Sequence, residues 1–285
     1  MYKRAFALIF AVLMVISLLT ACAPKTYTKT GVLTSNAIEG VEETQYVFAV
    51  SKNSANGDKY LAEINKILEE IDMAEIIKGY TSGTASYFED FLGDVDLKDN
   101  IDLPPINIYT IDYSPFQFTG AWGNGVDGVD MYVMAHLAER LNMFPKIQHA
   151  IYSTGYEKVK SGESDIFASA VALTEQVKAD FKVSDVYASG KQHIVCDEGF
   201  SFTKIKQLKG LKIGVVAGRE GQKIIEEAIK NGVLKNSGAE VVVFDTDAEA
   251  GHAILNENIH ALIVDELPAK VITGEVAIRG SMNFG

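Results

Sequence analysis

The chain has 285 residues, a hydrophobic fraction of 47 % and a formal net charge of −12 at pH 7. An acidic chain without a basic patch is a poor partner for nucleic acid. Its two cysteines, Cys22 and Cys196, are too few for a disulfide-stapled scaffold, so stability has to come from a sizeable core.

Lys3 and Arg4 precede an almost unbroken apolar run from Ala5 to Leu19, the form of a secretory signal and too short for a lasting transmembrane helix. "LTAC", Leu19 to Cys22, resembles a bacterial lipobox. That resemblance implies a signal peptide over 1–21, lipidation of Cys22 and attachment to a membrane surface. An ordinary cleaved signal with an incidental cysteine is the plainer alternative. The polar, basic residues that follow suit a flexible tether, placed at 22–35. Cys196, inside the apolar run "HIVC", reads as a buried and inert thiol.

Tyr46 to Val50 alternates as a strand does, "SKNSANGD" is a turn, and Leu61, Ile64, Leu68 and Ile71 recur at helical spacing. Residues 81–105, closed by "DLPP", read as a connector with one short helix. From Ile106 onward, short apolar strands alternate with helices: "INIYTI", then "DMYVMAHLAERL" with Met131, Met134, Leu137, Ala138 and Leu141 on one face. "KIQHAIY", a short helix at Tyr156 to Lys160, and the strand "DIFAS" follow. After "HIVC" come "KIGVV", "GQKIIEEAIKNG", "EVVVF", "AEAGHAILNE" and "ALIVD". Strand–helix–strand alternation predicts parallel sheets with right-handed crossovers. Two such runs, meeting near residues 188–196, predict two α/β lobes with a cleft between them.

Five stretches, in order, resemble the extracellular solute-binding proteins of ABC importers, amino-acid (family 3) type. "DYSPFQF", Asp112 to Phe118, is similar to that family's first ligand loop. "GVDGVDMYVMAHLAERL" is similar to its helix signature, matching at Gly128, Asp130 and Met131 and departing at Val129 and Tyr132. Ser161 to Gly190 matches most strongly, Ser184 and Tyr187 standing in the family's closing motif and Val183 replacing its Phe. "LKGLKIGVVAGREGQ" resembles the start of the second lobe, and "ALIVDELPA" its last ligand strand. The resemblance implies a two-lobed periplasmic-binding-protein-like (type II) α/β fold with a hinge. It also implies a small-molecule ligand, importer membrane subunits as partners, and residence on the extracytoplasmic face of a bacterial cell membrane. A monomer without cofactor or metal is expected.

The family's chain finishes with a crossing strand, a turn and a helix of the kind found here at Gln45 to about Tyr80, ahead of the family's beginning. A circular permutation is the reading, with 36–80 as the displaced finish, 81–105 as connector, 106–190 completing the first lobe and 191–285 forming the second. A truncated tandem, the tail of one module followed by most of another, is the alternative.

The site the resemblance implies draws Tyr113, Phe116, Ser169 and Val171 from the first lobe, and Arg219 and Asp265 from the second. Tyr113 and Phe116 can stack on a ligand or belong to the core, and Trp122 is a weaker candidate. Asp265 can hold an ammonium group or cap the helix that follows it. Arg219, in "AGREGQ" where a strand gives way to a helix, can grip a carboxylate or lie in solvent. The family's carboxylate-binding Arg is replaced by Val177, and Ala170 and Ala172 stand where hydroxyls are usual. Either Arg219 or Lys178 takes over, or the solute is not an ordinary α-amino acid but a cation or a less polar solute held by Asp265 and aromatics. Catalysis has little support, since the five histidines show no metal-ligand spacing. A dehydratase-like cleft enzyme, using carboxylates such as Glu220, and a non-transport sensory lipoprotein are the alternatives.

Overall fold

A computed structural model describes residues 30–81, 102–119, 126–149 and 151–275. The expected signal peptide, Cys22, Trp122 and most of the connector lie outside the described residues.

Two sheets carry the molecule. The first has the order β6-β3-β7-β2-β8, with β9 also paired to β2. These strands are β2 (Thr44–Ser51), β3 (Pro105–Thr110), β6 (Phe144–His149), β7 (Ile166–Ala172), β8 (Phe181–Val183) and β9 (Ala188–Gly190). The second has the order β1-β10-β13-β11-β12, from β1 (Leu33–Ala37), β10 (Gln192–Asp197), β11 (Lys212–Val216), β12 (Glu240–Phe244) and β13 (Ala261–Asp265). A short ribbon joins β4 (Phe118–Thr119) to β5 (Val126–Asp127).

The parallel core expected from the alternation is present in each sheet: β3 runs parallel to β6 and β7, and β11 parallel to β12 and β13. Neither sheet is wholly parallel, however. β2 lies antiparallel to β7, and β1 and β10 are antiparallel additions beside β13. The reason is topological: β2 and β10 enter from the other lobe rather than over a helix, and β1 runs out toward the crossing. β1, from residues expected in the tether and at the start of the first lobe, pairs along β10 in the second sheet. The permutation reading takes "GVLTSNAIEGVEETQ", Gly31 to Gln45, as the second crossing strand, and β1 lies within it although "LTSNA" carries no apolar alternation.

Among the described residues, eight α-helices cover the sheets: α1 (Gly57–Glu70), α2 (Met73–Thr81), α3 (Val129–Leu141), α4 (Tyr152–Ser161), α5 (Glu175–Asp180), α6 (Glu220–Lys230), α7 (Asp247–Leu255) and α8 (Glu266–Ile272). Helix α1 buries Tyr60, Ile64 and Ile67 and turns its Lys and Glu residues outward, as an amphipathic helix must. Asp72 then caps α2, accepting from the N–H groups of Ala74 and Glu75 at 3.0 and 3.2 Å. Thr174 caps α5 and Thr246 caps α7 in the same way. Helix α4 begins earlier than the pattern at Tyr156 suggests, which brings Tyr152 to its first turn.

Tyr46 to Val50 lies in the sheet that contains Ile106, separated from β3 by β7. The chain crosses between lobes at 38–43 and again at Lys191. The two crossings run side by side: Thr44 pairs with Gly190 in the first sheet, and Ala37 with His193 in the second. Ile38 N–H donates to the carbonyl of Gln192 between them at 2.8 Å.

Each sheet has a core cluster on one of its faces. Val47, Ala49, Tyr109, Phe167 and Phe181 pack on one side of the first, and Ile194, Ile213, Ile225 and Ile263 on one side of the second. A third cluster contains residues of both lobes, from Tyr46, Tyr113 and Phe116 to Val216, Leu262 and Val264.

Candidate functional site

The strand ends that face the other lobe supply the polar groups. After β3 the chain folds back on itself, with Tyr113 N–H donating to the carbonyl of Gln117 at 2.9 Å. That turn buries Tyr113 and Phe116, their rings stacked with centroids 6.2 Å apart. Tyr46 packs against Phe116 at 5.1 Å. Gly128, at φ 129°, lets α3 start directly beneath this turn, where a Cβ would lie 2.4 Å from the Phe116 carbonyl oxygen.

Asp265 ends β13 and is the residue before α8, yet its side chain makes no capping bond. Its carboxylate instead faces the first lobe. Tyr46 Oη donates to Oδ1 at 2.6 Å, Tyr113 Oη donates to Oδ2, and Gln192 Nε2 donates to Oδ1. Burial, and then the Asp265 charge, hold both phenols well above their ordinary pKa, so they remain donors. Of the two roles open to Asp265, the helix cap is not made.

Arg219 precedes α6 and is 4 % exposed, so it does not lie in solvent. Its guanidinium lies 3.6 Å from the centroid of the Tyr113 ring and 5.2 Å from that of Tyr152. Nη1 donates to the carbonyls of Ser169 at 2.5 Å and Ala170 at 3.2 Å, and Nη2 to Ser169 Oγ at 3.3 Å. The helix start beside it is partly satisfied from within, because Gly218 N–H donates to Gln222 Oε1 at 2.8 Å.

The acceptors on β7 owe their direction to an irregularity. Val47 pairs with Val171 and Ala49 with Phe167, so the three residues 168–170 face Phe48 alone. Ala170 takes up the excess at φ 43°, in the left-handed region. Its N–H is held by Asp130 Oδ2 at 2.8 Å, and Tyr187 Oη donates to Asp130 Oδ1 at 2.6 Å. Burial raises the Asp130 carboxyl to about 7, partly offset by these two hydrogen bonds. Asp247, at the start of α7, accepts from Ser114 N–H at 3.2 Å and is likewise raised to about 7 by burial. Asp130 and Asp247 both feel the charge of Arg219, and Asp265 shares Tyr113 with it, so among the described residues three buried acidic groups lie near one buried guanidinium.

Tyr113, Phe116, Ser169, Arg219 and Asp265 come together here. Val171 does not: it is fully buried among Val47, Val159 and Phe181 in the first sheet's core cluster. Val177 packs in the same cluster, and Lys178 pairs with Glu175 on the surface at 2.9 Å. Glu220 pairs with Lys223 at 3.1 Å. Sequence reasoning missed the contributions of Tyr46, Gln117, Tyr152, Gln192 and Asp247. Gln117 Nε2 donates to Ser169 Oγ at 2.9 Å. A cavity of about 360 Å³ opens beside the crossing, lined by Glu42–Gln45, Ala172–Thr174, Glu220 and Ile224. Cys196 is buried and its thiol is pushed up to about 11, chiefly by burial.

The model of the bacterial extracellular solute-binding proteins, family 3, matches residues 106–270. The chain belongs to this family. Among its relatives, a probable histidine-binding protein of Neisseria gonorrhoeae is 26 % identical over 121 residues, 42 % of this chain. The match spans 45 % of that protein, less than half its length. The arginine-binding extracellular protein ArtP of Bacillus subtilis (strain 168) is 21 % identical over 185 residues, 59 % of this chain and 71 % of that one. Solved structures of like fold include an ancestral arginine-binding protein bound to arginine, at 23 % identity and a TM-score of 0.55. It covers 64 % of this chain and 80 % of its own. The ancestral amino-acid-binding protein AncCDT-1, a precursor of cyclohexadienyl dehydratase, has a TM-score of 0.52 at 20 % identity, covering 64 % of this chain and 80 % of its own. The fold is therefore the two-lobed α/β arrangement of family 3 binding proteins. β1, β2, α1 and α2 lie ahead of the matched span, although β2 sits inside the first sheet.

Proposed function

We propose that the protein captures a small cationic or amino-acid-like solute between its lobes and delivers it to an ABC importer from a lipid anchor at Cys22. The observation that carries the solute class is the acidity of the interlobe space, where three buried acidic groups, two of them raised to about 7, lie near one guanidinium. Desolvated acids, aromatic faces and outward-turned main-chain carbonyls all favour a positive group. The mechanism is hinge closure about the paired crossings at 38–43 and 191, with contacts from both lobes favouring the closed state. The related histidine- and arginine-binding proteins support this class of solute. The role is binding rather than catalysis.

The order of the chain is read as a circular permutation. What supports it is β2, which fills a central place in the first sheet while preceding the family's matched residues. A tail left over from a separate module would have no such place.

A thermal-shift screen of the purified protein against arginine, lysine, histidine, simple amines and small acids tests the reading, because ligand binding to the folded state raises the melting temperature. Cationic compounds give the largest shifts; shifts confined to acids would overturn the solute class. Catalytic turnover of a bound compound would replace the binding role with an enzymatic one.

A further inference from the structure

The first lobe builds an acceptor site for a flat cation, largely from its own backbone. The bulge at 168–170, with Ala170 at φ 43°, turns the carbonyls of Ser169 and Ala170 toward the second lobe. Alanine adopts that conformation only at a cost, and such strain persists where the surroundings hold it. Here the Asp130 carboxylate holds it through the Ala170 N–H. Ser169 Oγ and the faces of the Tyr113 and Tyr152 rings complete the site. Every one of these groups comes from the first lobe.

The occupant comes from the second. Arg219 lays its guanidinium against the Tyr113 ring and spends its Nη hydrogens on the β7 oxygens. Its Nε has no hydrogen-bond partner, and among the described residues no carboxylate forms an ion pair with it. A buried guanidinium without a directly paired carboxylate is ordinarily expensive, so the acceptor site has to match it closely. The fit is to a planar fork rather than to a charge alone. Two carbonyls and a ring face suit guanidinium, whereas a compact, strongly hydrated ammonium cannot stack in the same way.

We propose that Arg219 is a tethered occupant of this site, a guanidinium on the second lobe that latches the lobes together and that a guanidinium-bearing solute must displace. The proposal rests on the solute-binding reading above, and adds the chemical group that the first lobe accepts and the residue that competes for it.

The test compares wild type with Arg219→Ala, and with Arg219→Met, which keeps more of the side chain's bulk should the alanine variant not fold. Circular dichroism melts establish folding. Small-angle X-ray scattering then reads the radius of gyration without additive and during titration with methylguanidinium chloride, with tetramethylammonium chloride as the ionic-strength control. Without additive, both variants are more expanded than wild type. Methylguanidinium returns them to the wild-type dimension, and the control salt does not. Its affinity for the variants is about tenfold or more above that for wild type, as expected when a competitor filling most of the site is removed. Folded variants as compact as wild type, or with no higher affinity for methylguanidinium, would overturn the latch. These readouts need no natural solute. Expansion reversed by methylguanidinium in a protein that answers no compound of the solute screen would retain the latch and remove the transport reading. Solute binding without expansion would do the reverse.

Discussion

Tyr46 Oη donates a 2.6 Å hydrogen bond to Asp265 Oδ1, joining the first lobe's β2 to the end of the second lobe's β13. The tyrosine lies ahead of the family's matched span and the aspartate inside it, so the contact exists only because β2 has entered the first sheet. Tyr46→Phe and Asp265→Asn, singly and together, measure that contact. A double-mutant cycle from urea unfolding gives a coupling of about 0.5–3 kcal/mol, the range for residues in direct contact. Zero coupling would mean that the bond is not made in solution.

Asp265→Ala has a larger effect than Tyr46→Phe. It strands the Tyr46 and Tyr113 hydroxyls and loses one of two acceptors of the Gln192 amide. Each buried donor left unpaired costs about 1–3 kcal/mol. Affinity for a cationic solute falls by roughly tenfold or more, the loss expected for one charge-assisted hydrogen bond. Calorimetric titration with the best compound of the thermal-shift screen provides the check; unchanged affinity removes Asp265 from the solute's contacts.

The raised carboxyls give stability a definite pH dependence. Asp130 and Asp247 take up protons near pH 7 in the folded protein, against an ordinary aspartate value of 3.8. Between about pH 4 and pH 7 the folded state binds more protons than the unfolded one, so these two groups make stability fall as pH rises. Asn at position 130 imitates the protonated form. The stability of Asp130→Asn relative to wild type therefore increases from pH 5 to pH 8 in urea unfolding. A flat or falling difference would contradict the burial-driven shift.

A bound cation beside the same carboxyls favours their ionised form, so binding releases protons. Affinity for a cationic solute rises from pH 5 to pH 8, and the heat of binding varies with the ionisation enthalpy of the buffer. Equal heats in phosphate and Tris at pH 6.5 would argue against the coupling.

Gly218→Ala probes the approach of the lobes. At φ 74° the glycine lies against Tyr152, where a Cβ would fall 2.2 Å from a ring carbon. The strained backbone costs about 1–3 kcal/mol, and the ring has to move away from Arg219. Melting temperature and the near-ultraviolet tyrosine signal both change; a variant as stable as wild type with the same tyrosine signal would place the loop farther from α4.

Much of this was legible in the sequence, and the misses have physical causes. Strand and helix order from Ile106 follows from periodicity, and Tyr113, Arg219 and Asp265 are recognisable as polar or aromatic residues at strand ends. Val171 was misplaced because a period of two puts it on the same face as Ser169. The bulge breaks that parity, directing Ser169 to Gln117 and Arg219 while Val171 stays with Phe167 in the first sheet's core cluster. Tyr46 and Gln192 escaped notice because the strands that carry them read as ordinary sheet members. Their roles arise from a partner 219 and 73 residues away. Local pattern carries no record of such distant meetings.

Gln192 gives the paired crossings a further significance. It is the first residue of β10, its carbonyl accepts from Ile38 at the other crossing, and its amide donates to Thr44 on β2 and to Asp265 on β13. One side chain is therefore fastened to the pivot and to the jaws at once. Any swing of the lobes has to renegotiate the partners of Asp265, and any change at Asp265 is felt at the pivot. On the solute-binding proposal, filling the site and setting the angle between the lobes are, through that amide, a single mechanical event.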